Sequence, residues 1–149
     1  MRTLITTAAD ETRSFGGRLA AQLLPGDVLL LYGDMGAGKS ELVRGVAKGL
    51  GVDGIVPSPT FTILRVYDSG RIPLYHFDWF RIRGAEELYE LSMDEYLYGD
   101  GVAAVEWPDC AMDVIPAQHL RIRLTVVDEC RRQIDLQPVG GFREVINLF

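Results

Sequence analysis

Gly33-Asp34-Met35-Gly36-Ala37-Gly38-Lys39-Ser40 lies between two segments of different periodicity. Before it runs Asp27-Val28-Leu29-Leu30-Leu31-Tyr32, an apolar stretch of strand length; after it Leu42, Val43, Val46 and Leu50 recur at helical spacing, and Gly51 is a stop signal. Strand, glycine-rich turn and helix form the setting in which G-x-x-x-x-G-K-[ST] reads as a phosphate-binding loop. Gly33, Gly36 and Gly38 have no Cβ, so the backbone can turn sharply and approach a phosphate. Successive N–H groups then form an anion nest, and the helix N-terminus adds partial positive charge. Lys39 is expected to reach the outer phosphates and the Ser40 hydroxyl to bind Mg²⁺. The intervening Asp34, Met35 and Ala37, with Glu41 on the first helical turn, complete the candidate nucleotide-binding segment. Only two of the 15 basic residues are lysines, Lys39 and Lys48. The basic surface therefore uses arginine, and a lysine inside the loop stands out.

Composition narrows the class of protein. A chain of 149 residues with 48% hydrophobic and 24% charged residues is expected to form one domain with a real core. A net charge of −6 argues against a free-standing nucleic-acid binder, so any RNA role is expected to run through a partner. Cys110 and Cys130 are too few for a disulfide framework or a zinc site and read as buried, reduced thiols of a cytoplasmic protein. The first residues carry no apolar signal region, and no run approaches membrane-spanning length.

Taken in order, Thr3-Leu4-Ile5 reads as an edge strand. Ala8 to Leu24 reads as a helix with Thr7 as a possible N-cap and Phe15, Leu19 and Leu23 on one face. Its Gly16-Gly17 pair weakens the helix, and whether it serves close packing is left open by the sequence. Pro57 and Pro59 stiffen an extended connector, Ser58-Pro59-Thr60, that can bring a hydroxyl to a terminal phosphate. Thr60 is the first candidate, Ser58 and Thr62 the others, and a solvated loop threonine is the bland alternative. Phe61–Tyr67 and Ile72–Phe77 read as a hairpin, so the sheet is mixed. Asp78 ends that apolar strand, where an acid can hold Mg²⁺ beside the loop serine, cap the strand end or pair with Arg81. His76 reads as an ordinary half-buried sheet residue, because no nucleophile is near it in the sequence. Ala85 to Leu97 reads as a helix with Leu88, Leu91 and Tyr96 or Leu97 inward. Its acidic residues form a solvated face or a dock for a basic partner.

Val102-Ala103-Ala104-Val105-Glu106 repeats the apolar strand ending in an acid, which makes Glu106 a second candidate for the metal or the attacking water. Trp107 either fills core or packs on the loop or a partner. Leu120–Val127 and Gln133–Val139 read as an architectural hairpin, with Leu120, Ile122, Leu124 and Val126 on one side. A tail from Phe142 to Phe149 carries apolar residues able to dock on the body.

With the loop, Ser58-Pro59-Thr60-Phe61, His76-Phe77-Asp78-Trp79-Phe80-Arg81 and Glu106-Trp107-Pro108 in family order, the chain resembles the TsaE (YjeE) family of small bacterial P-loop ATPases. The resemblance runs from about Thr12 to Pro108. It implies an α/β, P-loop NTPase-like three-layer fold with a mixed central sheet flanked by helices. It also implies that ATP or ADP and Mg²⁺ bind at Lys39 and Ser40, that Thr60 is the switch residue, that Asp78 and Glu106 serve metal and hydrolysis, and that Trp107 lies near the nucleotide. The family functions in threonylcarbamoyladenosine modification of tRNA, acting with TsaD and TsaB type proteins and reaching tRNA only through that complex. Ser40 and Glu41 stand where the family usually has two threonines, and Glu41 is expected to weaken an anion site. Phe80 replaces a common tyrosine, and Ser92-Met93 a common Leu-Gly.

Two other classes fit the loop alone. A small-molecule kinase would need an acceptor pocket and an arginine-rich lid, whereas Arg65, Arg71, Arg81 and Arg83 are scattered. A GTPase-like switch would need an N-K-x-D segment, but Asn147 is the only asparagine.

Overall fold

The computed structural model describes residues 1–54, 56 and 63–145. Its strands are β1 (Arg2–Thr6), β2 (Val28–Tyr32), β3 (Leu64–Tyr67), β4 (Leu74–Asp78), β5 (Val102–Glu106), β6 (His119–Val126) and β7 (Arg132–Val139). They form one sheet in the order β1-β7-β6-β2-β5-β4-β3. The four central strands, β6, β2, β5 and β4, run parallel; β3, β7 and β1 pair antiparallel at the two sides. Parallel strands covered on both faces need apolar residues at every position, which is how β2 and β5 read.

Successive side chains of a strand point to opposite faces. Leu29 and Leu31 of β2 join the core under α1 (Ala9–Ala20) and α2 (Lys39–Gly49). Val28 and Leu30 join the core under α3 (Ala85–Glu90) and two 3₁₀ segments, Asp94–Tyr98 and Pro108–Val114. The result is the expected three-layer α/β architecture with a mixed sheet. Helices α1 and α2 cross with their backbones in contact. A Cβ on Gly16 would lie 2.4 Å from the Leu42 carbonyl oxygen, and one on Gly45 2.0 Å from that of Arg13.

Several elements differ from their expected form. Helix α1 stops at Ala20 rather than Leu24. Pro25 disfavours helix at the residue before it, and the Asp27 carboxylate takes the Leu24 N–H at 2.7 Å. The N-cap position is Ala8, not Thr7. The Thr7 N–H and hydroxyl both donate to Glu11 at 2.8 Å, holding its carboxyl below the usual range. The helix expected over 85–97 breaks after Glu90. Ser92 takes a left-handed φ of 55°, its N–H returns to the Tyr89 carbonyl and the Met93 N–H to that of Leu88. This closure usually uses glycine, which is why the sequence hid it. Leu91 is consequently exposed, while Leu88 and Leu97 remain inward.

Strand β3 begins at Leu64, and the expected Phe61 and Thr62 lie outside the described residues. Val126, expected to face the core with Leu124, is exposed; among the described residues that end of β6 pairs only with β7. Cys130 is exposed rather than buried, and Cys110 is partly buried. Phe142 and Val145 of the tail pack into the core beneath α1 and α2. No helix among the described residues is long and apolar enough to cross a membrane.

Candidate functional site

The loop follows directly from β2. The chain turns through Gly33, Gly36 and Gly38, with φ of 148°, 81° and 105°, and α2 begins at Lys39. At Gly33 a Cβ would also lie 2.7 Å from the Leu124 carbonyl oxygen. Gly38 occupies the N-cap of α2 and supplies no side-chain cap. The first-turn amides, which have no intrahelical acceptor, are therefore left for an anion.

Lys39 is buried, unlike the exposed Lys48. Its Nζ donates to the Gly33 carbonyl at 2.7 Å and sits 3.5 Å from the centre of the Trp107 ring. Burial pushes the ammonium's pKa down, and Glu106, Asp78 and Asp34 hold it up. Trp107 reaches this place through a left-handed backbone (φ 57°, ψ 57°) and packs on Phe80, ring centres 5.1 Å apart.

Asp78 and Glu106 end the neighbouring parallel strands β4 and β5 directly opposite one another. Both are buried, each 4% exposed. They join Met35, Gly36, Gly38, Lys39, Ser40, Glu41 and Trp107 in lining one cleft of about 390 Å³. Asp78 also accepts the Phe80 N–H at 2.9 Å, so strand-end capping and a place in the cleft coexist. His76, expected to be half-buried, is 1% exposed, and its Nε2 lies 2.6 Å from Glu106 Oε2. Sequence spacing puts His76 on the same strand face as Asp78, but nothing local indicates a partner on another strand.

Glu41 is bound by Arg13 at 2.5 Å and Arg44 at 2.6 Å. Two guanidinium groups thus offset the charge expected to weaken an anion site. Gly33, Asp34 and Ala37 belong to the frame of the loop without lining the cleft, and Met35 is exposed at its tip. Thr60, Ser58 and Thr62 lie outside the described residues.

Two carboxyl groups and a hydroxyl are hard oxygen donors suited to Mg²⁺. Among the described residues no cluster of three or more His, Cys, Asp or Glu forms a preformed metal cage.

The turn of the β6–β7 hairpin reaches the glycine loop. Its turn residues Glu129, Cys130 and Arg132 line a second cleft of about 410 Å³ with Thr7, Thr12, Gly36, Gly38 and Glu41. Arg132 also donates to the Gly36 carbonyl at 3.4 Å. The two clefts therefore share the loop as their common wall.

A mixed sheet with parallel central strands, entered through a glycine loop that leads from β2 into α2, defines a P-loop NTPase fold. Residues 6–134 match the family model described as "Threonylcarbamoyl adenosine biosynthesis protein TsaE". The chain is 40% identical over 141 residues to the tRNA threonylcarbamoyladenosine biosynthesis protein TsaE of Bacillus subtilis, covering 95% of this chain and 88% of that protein. It is 39% identical over 133 residues to the protein of the same name from a Nostoc species, covering 87% and 81%. The crystal structure of Bacillus subtilis YdiB matches with a TM-score of 0.82 and 37% identity, over 94% of this chain and 86% of that one. The chain belongs to the TsaE family.

Proposed function

We propose that this chain is a single-domain, Mg²⁺-dependent ATPase of tRNA threonylcarbamoyladenosine biosynthesis, and that it couples ATP hydrolysis to the state of a TsaD–TsaB type complex. The observation that carries this reading is the shared cleft. It brings the uncapped start of α2, Lys39 and Ser40 together with the strand-end acids Asp78 and Glu106. An amide nest and an ammonium suit phosphates, and an acidic pair beside them suits a divalent cation.

In this reading the first-turn amides of α2 and Lys39 bind the phosphates, and Lys39 exchanges its Gly33 carbonyl for phosphate oxygens. Ser40 and Asp78 would hold Mg²⁺, with Glu106 as a further ligand or as the base for the attacking water. The ion supplies charge neutralisation at the phosphates. Trp107 excludes water above Lys39, and the second cleft offers room for the base and sugar on the far side of the loop. Thr60 is assigned to the terminal phosphate from its place in the sequence. The relatives named for tRNA threonylcarbamoyladenosine biosynthesis support the pathway, and an acidic chain of net charge −6 suits access to tRNA through a complex.

Calorimetry with ATP and ADP, with and without Mg²⁺, tests the site. The Lys39→Ala protein is expected to bind at least about tenfold more weakly, from loss of a charge-assisted contact. Well-folded protein that takes up no adenine nucleotide, alone or with its companions, overturns the reading. Coupling requires that the affinity for the TsaD–TsaB type complex differ between the ATP and ADP states; equal affinities exclude it.

A further inference from the structure

His76 and Glu106 form a buried pair that the nucleotide chemistry described above does not require. The two residues are not opposite each other. His76 of β4 faces Ala104 of β5 in register, and Glu106 is two residues further along β5, opposite Asp78. The small Ala104 side chain leaves the imidazole room to reach diagonally along the sheet. Its Nε2 meets Glu106 Oε2 at 2.6 Å, with His76 1% and Glu106 4% exposed. The other ring nitrogen, Nδ1, is buried and has no hydrogen-bond partner among the described residues. A side chain needed only to fill this face of the sheet would be apolar, like Leu74 two residues earlier, and would strand no ring nitrogen.

We propose that His76 is a positioning residue for Glu106. A carboxylate can only accept, so the imidazole carries its proton on Nε2 and donates it to Oε2. That bond occupies one carboxylate oxygen and fixes the rotation of the group, leaving Oε1 as the oxygen for the attacking water or the ion's water shell. Glu106 needs such a fixed partner because Lys39, which also draws on it electrostatically, is committed elsewhere: Lys39 bonds Gly33 and lies against the Trp107 ring. The role resembles that of the outer partners of metal ligands, whose removal typically costs about 10- to 100-fold in metal affinity or activity. The inference rests on the ATPase reading and refines it.

The experiment compares wild type, His76→Leu and His76→Gln, whose amide nitrogen can occupy the place of Nε2. Single-turnover hydrolysis, ADP affinity with and without Mg²⁺, and melting temperature are measured for each. His76→Leu is expected to lower the hydrolytic rate by about tenfold or more, with Mg²⁺-free ADP affinity within about threefold and a cooperative melt. His76→Gln is expected to recover most of the rate. Long-range ¹⁵N spectra of the wild-type ring, which need no activity, should show the proton on Nε2 and a shift of that nitrogen in Glu106→Gln. A ring with no proton on Nε2, a Leu variant within twofold of wild type, or equal losses in Leu and Gln each overturns the proposal. Absence of nucleotide binding in wild type overturns the ATPase reading instead, while the ring spectra still report on the pair.

Discussion

At Glu106 one carboxyl group shares the end of a parallel sheet with Asp78, a histidine and the loop ammonium. Replacing it with glutamine keeps its volume and removes its ability to take a proton. If Glu106 is the base of the proposed ATPase, Glu106→Gln is expected to lower the hydrolytic rate by roughly 10²-fold or more and to leave nucleotide affinity nearly unchanged, as for a group that acts only in the transition state. Rate and affinity, measured separately, check this; parallel losses in both would show a ground-state role. Asp128 offers a test that involves no ligand. The Arg131 N–H, the Arg131 guanidinium and the Cys130 N–H donate to its carboxylate and pull its pKa from 3.8 to about 2. Because the folded value is the lower one, this turn adds stability above the ordinary carboxylate range and loses it as pH falls toward 2. A carboxyl titration followed by NMR should show the low midpoint, and Arg131→Ala should raise it.

Among the elements, the α1–α2 crossing depends on which glycine faces which backbone. A Cβ at Gly45 would fall 2.0 Å from the Arg13 carbonyl oxygen, whereas one at Gly17 would sit 3.7 Å from that of Gly45, an ordinary contact. Gly45→Ala is expected to force the helices apart and destabilise by about 1–3 kcal/mol, a fall in melting temperature of roughly 3–10 °C. Gly17→Ala should act the other way and stabilise by up to about 1 kcal/mol, because helical glycine costs backbone entropy. Thermal unfolding of the two variants separates contact from propensity; destabilisation of both by similar amounts would refute the geometry. The Gly16-Gly17 pair is visible in the sequence as a weakening of the helix. Which glycine makes the contact is not, since that depends on the phase of one helix against the other.

Across the whole molecule, the tail is tied to the end of the sheet remote from the loop. Arg143 forks onto both oxygens of the Asp27 carboxylate at 3.0 and 2.5 Å and donates to the Gln22 carbonyl at 2.6 Å. Phe142 and Val145 beside it are buried. Arg143→Ala leaves Asp27 with the Leu24 N–H but without its cation. The loss is expected to be about 1–3 kcal/mol, seen as a lower urea midpoint, with nucleotide affinity unchanged. A matching loss of nucleotide affinity would show that the tail acts on the site as well as on stability.

The loop, its strand and its helix were legible in the sequence because eight consecutive residues build that part of the site and their neighbours carry its periodicity. Asp78 and Glu106 were legible one at a time, each as an acid closing an apolar strand. Their pairing, the partnership of His76 with Glu106, and the cleft walled by the β6–β7 turn were decided only by tertiary structure. His76 and Glu106 are thirty residues apart, and the parallel register of β4 on β5 makes them neighbours. That register is set by burial on both faces of the sheet, a condition that no stretch of sequence states by itself.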